Sequence, residues 1–362
     1  MNKPRCAPWI HEIPAYVPGT SKDSIARRYG IKDPIKLASN ENPLGPSPMA
    51  VAAMESALTS MHLYPDPDAT ELREAAASFF GCDPRQVIAG NGSDEILDLL
   101  CRAFLTPGAE VIVPGLTFSY YRIASLVCGA RVVPSAMKGF SIDVDDILRK
   151  TSGNTAIVFL ANPNNPTGTC LSRSEVERLV SGIPAETLLV LDEAYASFVR
   201  QEDFLSGVGL VGSRENLATV HTLSKSHGLA GLRVGLCVAG EHVISSLARI
   251  KPPFNMNSLA IRAGAAALKD DAFLRKTLEL TWQGLDYLCS EAKALDIECV
   301  PSQTNFVLMR IGKDCLRVYE DLLRRGIITR AMTSFGLADY LRVSVGLPQE
   351  NEAFIAALKE VL

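Results

Sequence analysis

Leu217-Ala218-Thr219-Val220-His221-Thr222-Leu223-Ser224-Lys225 is a short, mostly apolar run that stops in hydroxyls and a lysine, with Gly228, Gly231 and Arg233 close behind. A run of this length and composition reads as a buried strand whose polar groups collect at its carboxyl end. Three other stretches repeat the pattern. Leu188-Leu189-Val190-Leu191 ends in Asp192-Glu193-Ala194-Tyr195, and Ala156-Ile157-Val158-Phe159-Leu160 ends in Asn162-Pro163-Asn164-Asn165-Pro166-Thr167-Gly168. Gln86-Val87-Ile88-Ala89 passes through Gly90-Asn91-Gly92 into Ser93-Asp94-Glu95 and then a helical period of Ile96, Leu97, Leu99, Leu100 and Phe104. Apolar runs alternating with turns and helical periods from about 85 to 240 predict an α/β fold, a large domain with a mostly parallel sheet flanked by helices. In such sheets ligands bind at the carboxyl edge, where these polar groups converge.

The flanks read differently. Residues 1–40 carry prolines at 4, 8, 14, 18 and 34 and predict an irregular N-terminal arm lying on another part of the molecule. Residues 41–253 form the large domain, and Pro252-Pro253-Phe254 reads as a hinge into a smaller α+β domain over 254–362. That smaller domain has helical segments at Leu259–Leu268 and Ala272–Leu295 and strand-like runs at Asn305–Leu308 and Tyr340–Val345.

Composition narrows the function. With 47% hydrophobic and 21% charged residues the 362-residue chain is globular, neither disordered nor coiled coil. Lys plus Arg number 36 against 40 Asp plus Glu, so no basic surface predicts nucleic acid or anionic lipid as a partner. The nine cysteines stand singly with no C-x-x-C, which predicts no metal site and reduced thiols. The N-terminus lacks the ~7–15-residue apolar stretch of a secretory signal, and no run approaches the ~18–20 apolar residues that span a bilayer. These readings predict a cytoplasmic protein acting on small molecules. Gly207-Val208-Gly209-Leu210-Val211-Gly212 matches G-x-G-x-x-G, but Arg200–Asp203 precedes it and Ser213–Asn216 follows it. A dinucleotide fingerprint needs a strand before and a helix after, so this stretch predicts a flexible surface loop.

The strand ends carry the chemistry. A lysine at a strand end between hydroxyls can be desolvated into a nucleophile for a carbonyl, which singles out Lys225. The helix start at Ser93 and Asp94, with Thr222, Ser224 and Arg233, offers N–H groups, hydroxyls and a guanidinium to a phosphate. Asp192 at its strand end calls for a cation, and a protonated pyridine nitrogen is one. Tyr195 and Asn165 can hydrogen-bond a phenolate oxygen, and Phe118 can cover a ring face. An aldehyde site, a ring-nitrogen site and a phosphate site together describe pyridoxal 5′-phosphate.

Over most of its length the sequence resembles the histidinol-phosphate aminotransferases of the fold-type I pyridoxal-phosphate enzymes. The resemblance is carried by Ala38-Ser39-Asn40-Glu41-Asn42-Pro43-Leu44-Gly45, Tyr64-Pro65-Asp66, Gly90 to Glu95, Pro163 to Gly168, Asp192 to Tyr195, and Thr222 to Arg233. It implies that Lys225 bonds the cofactor and shuttles a proton, while Asp192 keeps the ring nitrogen protonated. Tyr195 and Asn165 would hold the ring oxygen, Phe118 would stack, and Ser93, Asp94, Thr222, Ser224 and Arg233 would hold the phosphate. Tyr64 would reach that phosphate from a second subunit, implying a homodimer with shared sites. Arg342 would bind the substrate carboxylate, Arg330 and Tyr16 the substrate's phosphate or other distal group, and Asn165 would also contact substrate. The implied reaction takes L-histidinol phosphate and 2-oxoglutarate to imidazole-acetol phosphate and L-glutamate, a step of histidine biosynthesis. Related activities are aromatic amino-acid transamination and threonine-phosphate decarboxylation. A pyridoxal-phosphate-binding regulator would carry an N-terminal DNA-binding module, whereas about 40 residues precede the first motif here and the chain as a whole is acidic, which speaks against that reading. Three positions depart from the family pattern: His221 replaces an arginine, Gly115-Leu116-Thr117-Phe118 lacks a proline, and Ser226-His227 replaces a small-plus-aromatic pair. All three are expected near the ring or its support.

Overall fold

The computed structural model describes residues 4–13 and 20–362. Seven strands form the large sheet, in the order Val87–Asn91, Val234–Ala239, Leu217–Thr222, Leu188–Asp192, Thr155–Ala161, Glu110–Pro114, Arg131–Ser135. Val234–Ala239 runs antiparallel to both neighbours, and the remaining pairings are parallel. Strand alternation sends Leu189, Leu191 and Leu217 into one apolar layer and Leu188, Val190, Val220 and Phe159 into the other. Both faces are therefore buried, which is why the strands read as continuous apolar runs. Each fully buried Leu, Ile or Phe contributes about 1.5–3 kcal/mol, so the two layers fix the strand register firmly.

A second, antiparallel sheet of Glu298–Val300, Phe306–Arg310, Tyr340–Ser344 and Arg330–Ala331 packs with helices Asp271–Ala294, Cys315–Arg324 and Pro348–Val361 around Leu288, Val307, Leu341 and Phe354. The change of layer does not fall at Pro252–Phe254. Helix Ser258–Ala267 still buries Ala260, Ile261, Ala263 and Ala265 in the large core, and the crossing comes where Asp270 caps the next helix. Small residues on that helix let it lie close against Leu72 and Leu223. The bonds that reach across the seam include a bidentate Arg200–Asp286 pair at 2.9 and 2.8 Å, and Trp282 Nε1 donating to the Phe198 carbonyl at 2.8 Å.

The arm is more regular than its prolines suggest. Ser21 caps a helix over Lys22–Tyr29, and Ile35–Lys36 pairs in parallel with Ile327–Ile328. Ile25 and Ala38 pack on Leu323 and Ile328, so residues 20–40 are part of the smaller unit's surface. The glycine-rich stretch is also ordered differently. Gly207–Ser213 is a 3-10 helix whose first N–H donates to Glu193 Oε1 at 2.6 Å, with Gly207 and Val211 buried, and it is not a flexible surface loop.

Candidate active site

The carboxyl edge of the large sheet and the strands of the smaller unit enclose a cavity of about 330 Å³. Ser93, Asp94, Phe118, Asn165, Asp192, Tyr195, Thr222, Ser224, Lys225, Arg233, Arg330 and Arg342 all line it. Tyr64 does not; it is 83% exposed on the same chain's surface. Tyr16 lies outside the described residues.

Lys225 follows the strand Leu217–Thr222, and its Nζ donates to the Ser39 carbonyl at 3.0 Å. Burial, then the positive charges of Arg342 and Arg233, push this amine down to about 8, against the opposing pull of Glu41 and Asp94. Gly228 makes the loop after the lysine possible. It sits at φ +70°, and a Cβ there would lie 1.9 Å from the Gly45 carbonyl oxygen. The loop thus presses on the Asn42–Gly45 turn, where Asn42 Nδ2 donates to the Ser226 carbonyl at 3.2 Å. Gly228→Ala is expected to cost about 1–3 kcal/mol from backbone strain alone, before the clash is counted. The denaturation midpoint should fall accordingly, and an unchanged midpoint would mean that the loop can leave the turn freely.

At the Ser93 end of the cavity, Gly92 precedes helix Ser93–Phe104, which has no side-chain cap. A Cβ on Gly92 would meet Arg233 Nη2 at 2.6 Å, and one on Gly235 would overlap the Gly92–Ser93 backbone at 2.2–2.4 Å. The two glycines hold the helix start, the neighbouring strand and the guanidinium in close contact. Arg233 itself is left-handed (φ 57°) and its Nη2 donates to Asp94 Oδ2 at 3.2 Å. Thr222 Oγ1 donates to Ser224 Oγ at 2.9 Å and accepts from the Ser224 N–H at 3.1 Å. An uncapped helix start, two hydroxyls and an arginine facing one cavity fit a phosphate dianion.

At the other end, Asp192 Oδ2 accepts from Tyr121 Oη at 2.7 Å, and Oδ1 accepts from the Ala194 N–H at 3.1 Å. Burial pushes this carboxyl up to about 6, with the Tyr121 bond pulling it back down. Such a carboxylate becomes stable as an anion when a cation is placed against it, as a pyridinium nitrogen would be. Tyr195 Oη accepts from Asn40 Nδ2 at 2.9 Å, and Asn165 Oδ1 accepts from Arg342 Nη1 at 2.6 Å. Tyr121 and Asn40 were not singled out from the sequence.

Two of the departures lie away from the cavity. His221 is on the opposite face of its strand from Thr222, where its ring packs 4.3 Å from Phe80 and Nε2 pairs with Thr219 Oγ1 at 2.9 Å. Burial keeps it neutral, down to about 3, beside the equally buried Glu193 at 4.0 Å. His227 is buried with Nδ1 on Ser226 Oγ at 3.0 Å, edge-on to Phe79. The Leu116 carbonyl accepts from Asn164 Nδ2 at 2.9 Å. Among the described residues no cluster of three or more His, Cys, Asp or Glu could hold a metal, and no helix is long and apolar enough to cross a membrane.

Residues 32–358 match the model of the aminotransferase class I and II family, so the fold and site belong to a transaminase. The chain is 41% identical over 360 residues to histidinol-phosphate aminotransferase of Moorella thermoacetica, covering 99% of this chain and 93% of that protein. It is 42% identical over 357 residues to histidinol-phosphate aminotransferase 1 of Thiobacillus denitrificans, covering 98% and 93%. The crystal structure of histidinol-phosphate aminotransferase from Sinorhizobium meliloti in complex with pyridoxal-5′-phosphate superposes with a TM-score of 0.90 at 27% identity, covering 99% of this chain and 98% of that one. The chain belongs to the histidinol-phosphate aminotransferase family, with the fold-type I architecture and pyridoxal 5′-phosphate as cofactor.

Proposed function

We propose that the chain transfers an amino group from L-histidinol phosphate to 2-oxoglutarate, giving imidazole-acetol phosphate and L-glutamate as a step of histidine biosynthesis. The observation that carries this reading is the pairing of Arg330 with Arg342. The two stand directly opposite each other on antiparallel strands, and both line the cavity that holds Lys225. One pocket then presents two guanidinium groups to two kinds of anion in turn, a phosphate monoester and a dicarboxylate.

Bound in this cavity, pyridoxal 5′-phosphate supplies an aldehyde that exchanges with the substrate's amine and a ring that withdraws electrons from the reacting carbon. The chain's residues do the rest. Ser93, Asp94, Thr222, Ser224 and Arg233 hold the phosphate. Asp192 opposes the ring nitrogen, Tyr195 and Asn165 hold the ring oxygen, and Phe118 covers the ring. Lys225 would hold the cofactor through its aldehyde carbon, and its Nζ would carry the proton moved during the transfer. Its lowered proton affinity suits both duties, since a neutral amine is needed to attack and to accept. Seam contacts such as Arg200–Asp286 join the large unit to the smaller one that carries the substrate arginines. The protein works in the cytoplasm as a homodimer in which Tyr64 reaches the partner's phosphate site, in keeping with its exposure on its own chain.

The test separates the substrates. Arg342 Nη2 donates to the Ala38 carbonyl at 2.9 Å and Nη1 to Asn165, which aims it near the ring-oxygen end, where an α-carboxylate would lie. Arg330→Ala should weaken histidinol phosphate by about one to two powers of ten and glutamate less, the size of a charge-assisted hydrogen bond of ~1.5–3 kcal/mol. Arg342→Ala should show the opposite bias in kcat/KM. If wild type barely uses histidinol phosphate while both variants harm glutamate and aromatic donors alike, the aromatic aminotransferase activity replaces this one.

A further inference from the structure

The segment Lys251–Asn255, expected from its prolines to be a hinge, instead grips two functional loops. Tyr64 lies stacked on Phe254 with ring centroids 4.7 Å apart and planes at 23°. The two rings are 83% and 41% exposed, so the stack is not a piece of the core. Lys251 Nζ donates to the Pro67 carbonyl at 2.7 Å, holding the far end of the Tyr64 loop, and to Asn255 Oδ1 at 3.2 Å. Asn255 Nδ2 donates in turn to Glu95 Oε2 at 2.6 Å, the same oxygen that accepts from the Asn91 N–H at 2.5 Å. Asn91 and Glu95 bracket Gly92, Ser93 and Asp94, the turn that forms the phosphate cradle. Between Lys251 and Asn255, Phe254 adopts a left-handed backbone at φ 53°. A bulky residue stays there only when its surroundings over-determine it, and here hydrogen bonds on both sides do so.

We propose that Phe254 and Asn255 are positioning residues. Phe254 sets the Tyr64 ring that one subunit presents to its partner's cofactor phosphate, and Asn255 ties that ring's loop, through Glu95, to the subunit's own phosphate cradle. Each subunit thereby couples the cradle it keeps to the tyrosine it lends. The inference rests on the dimer reading above, in which Tyr64 acts on the other subunit's site.

Mixed dimers test it, with Lys225→Ala removing the lysine–aldehyde imine from one site, so that a cofactor titration followed by the borohydride-reducible imine absorbance reads only the other. In the first pairing, a Phe254→Leu subunit meets a Lys225→Ala subunit; the working site receives its tyrosine from an intact loop, and its cofactor affinity should stay within about twofold of the Lys225→Ala/wild-type dimer. In the second pairing, a Phe254→Leu, Lys225→Ala subunit meets wild type; the working site now receives tyrosine from the altered loop. Its affinity should fall about three- to tenfold, the size of one aromatic contact. Phe254→Tyr, which keeps the ring, should restore it, and thermal melting of each dimer separates this from loss of fold. Asn255→Ala should weaken the working site in both pairings, since it serves the cradle and the loop. A Phe254→Leu defect that is absent, equal in both pairings, or confined to the first overturns the proposal, as does an Asn255→Ala with no effect in either. Tyr64→Phe in the same pairings is the control. Should its defect fail to follow the second pairing, the dimer reading falls and this inference with it; should Tyr64→Phe behave as expected while Phe254→Leu is silent, only this inference falls.

Discussion

Lys225→Ala should leave a folded protein that still takes up the cofactor but turns over about 10⁴-fold more slowly, the upper range for a positioned proton-transfer group. The proposed phosphate and ring-nitrogen contacts come from other side chains, Thr222, Ser224, Arg233 and Asp192 among them, so binding should survive the loss of the amine. What would disappear is the strand-end amine, bonded at 3.0 Å to the Ser39 carbonyl, that in the proposed reaction bonds the aldehyde carbon and moves a proton. Borohydride should bleach the yellow wild-type enzyme and label Lys225; a label on any other lysine, or a loss below tenfold, would sink the assignment. The pH dependence follows from the lowered proton affinity. Burial moves the amine from its ordinary 10.5 down to about 8, so capture of the cofactor by cofactor-free protein should speed up tenfold per pH unit below that point and level off above it. The sign for stability is the same. Between about 8 and 10.5 the unfolded chain binds the proton that the folded chain has released, so the cofactor-free protein gains stability from this group as pH rises across that window.

Most of the cavity was legible because strands buried on both faces leave polar residues only at their ends. Asp192, Thr222 and Lys225 could be found from where each apolar run stops. Tyr121 escaped because it sits in an apolar helical period, Tyr120–Val127, and its ring does pack as core, 5.2 Å from Phe159. Only its hydroxyl belongs to the site, and no periodicity distinguishes that from a buried tyrosine with a structural partner. Asn40 lies in the Ala38–Gly45 motif, whose sequence alone gives it no role. Its aim at Tyr195 depends on a left-handed backbone, φ 56°, and on Ser344 Oγ donating to its Oδ1 at 2.8 Å from the far end of the chain. His221, by contrast, could have been placed from the sequence. Thr222 faces the site, and alternation turns residue 221 to the other side of the sheet. The hinge at Pro252–Phe254 misled for a local reason: prolines mark a turn, but which core the following helix joins is settled by its small residues packing on Leu72 and Leu223.

Asp192→Asn should bind the cofactor within about tenfold of wild type and lose about 10²–10³ in kcat, the cost of removing one preorganised electrostatic partner of a developing charge. The side chain is a carboxylate held in low dielectric by two donors, Tyr121 Oη at 2.7 Å and the Ala194 N–H at 3.1 Å. Burial alone would favour its acid form, and it stands at about 6 because the tyrosine bond offsets part of that. A pyridinium nitrogen facing it would lower its proton affinity further and have its own raised, each charge stabilising the other where water cannot. An amide of the same shape keeps the Ala194 bond but carries no charge, so the ring nitrogen loses its reason to stay protonated when electrons flow toward it. Tyr121→Phe separates this from packing. Losing a hydrogen bond to a charged group, about 1.5–3 kcal/mol, should slow turnover by one to two powers of ten and move the acid limb of the kcat profile to higher pH, because Asp192 then holds its proton more tightly. A melting point near wild type together with that shift would assign the tyrosine to the carboxylate's charge. Turnover of Asp192→Asn within about twofold of wild type would instead leave Asp192 as a cap for the Ala194 N–H, and the cofactor ring would need another partner for its nitrogen.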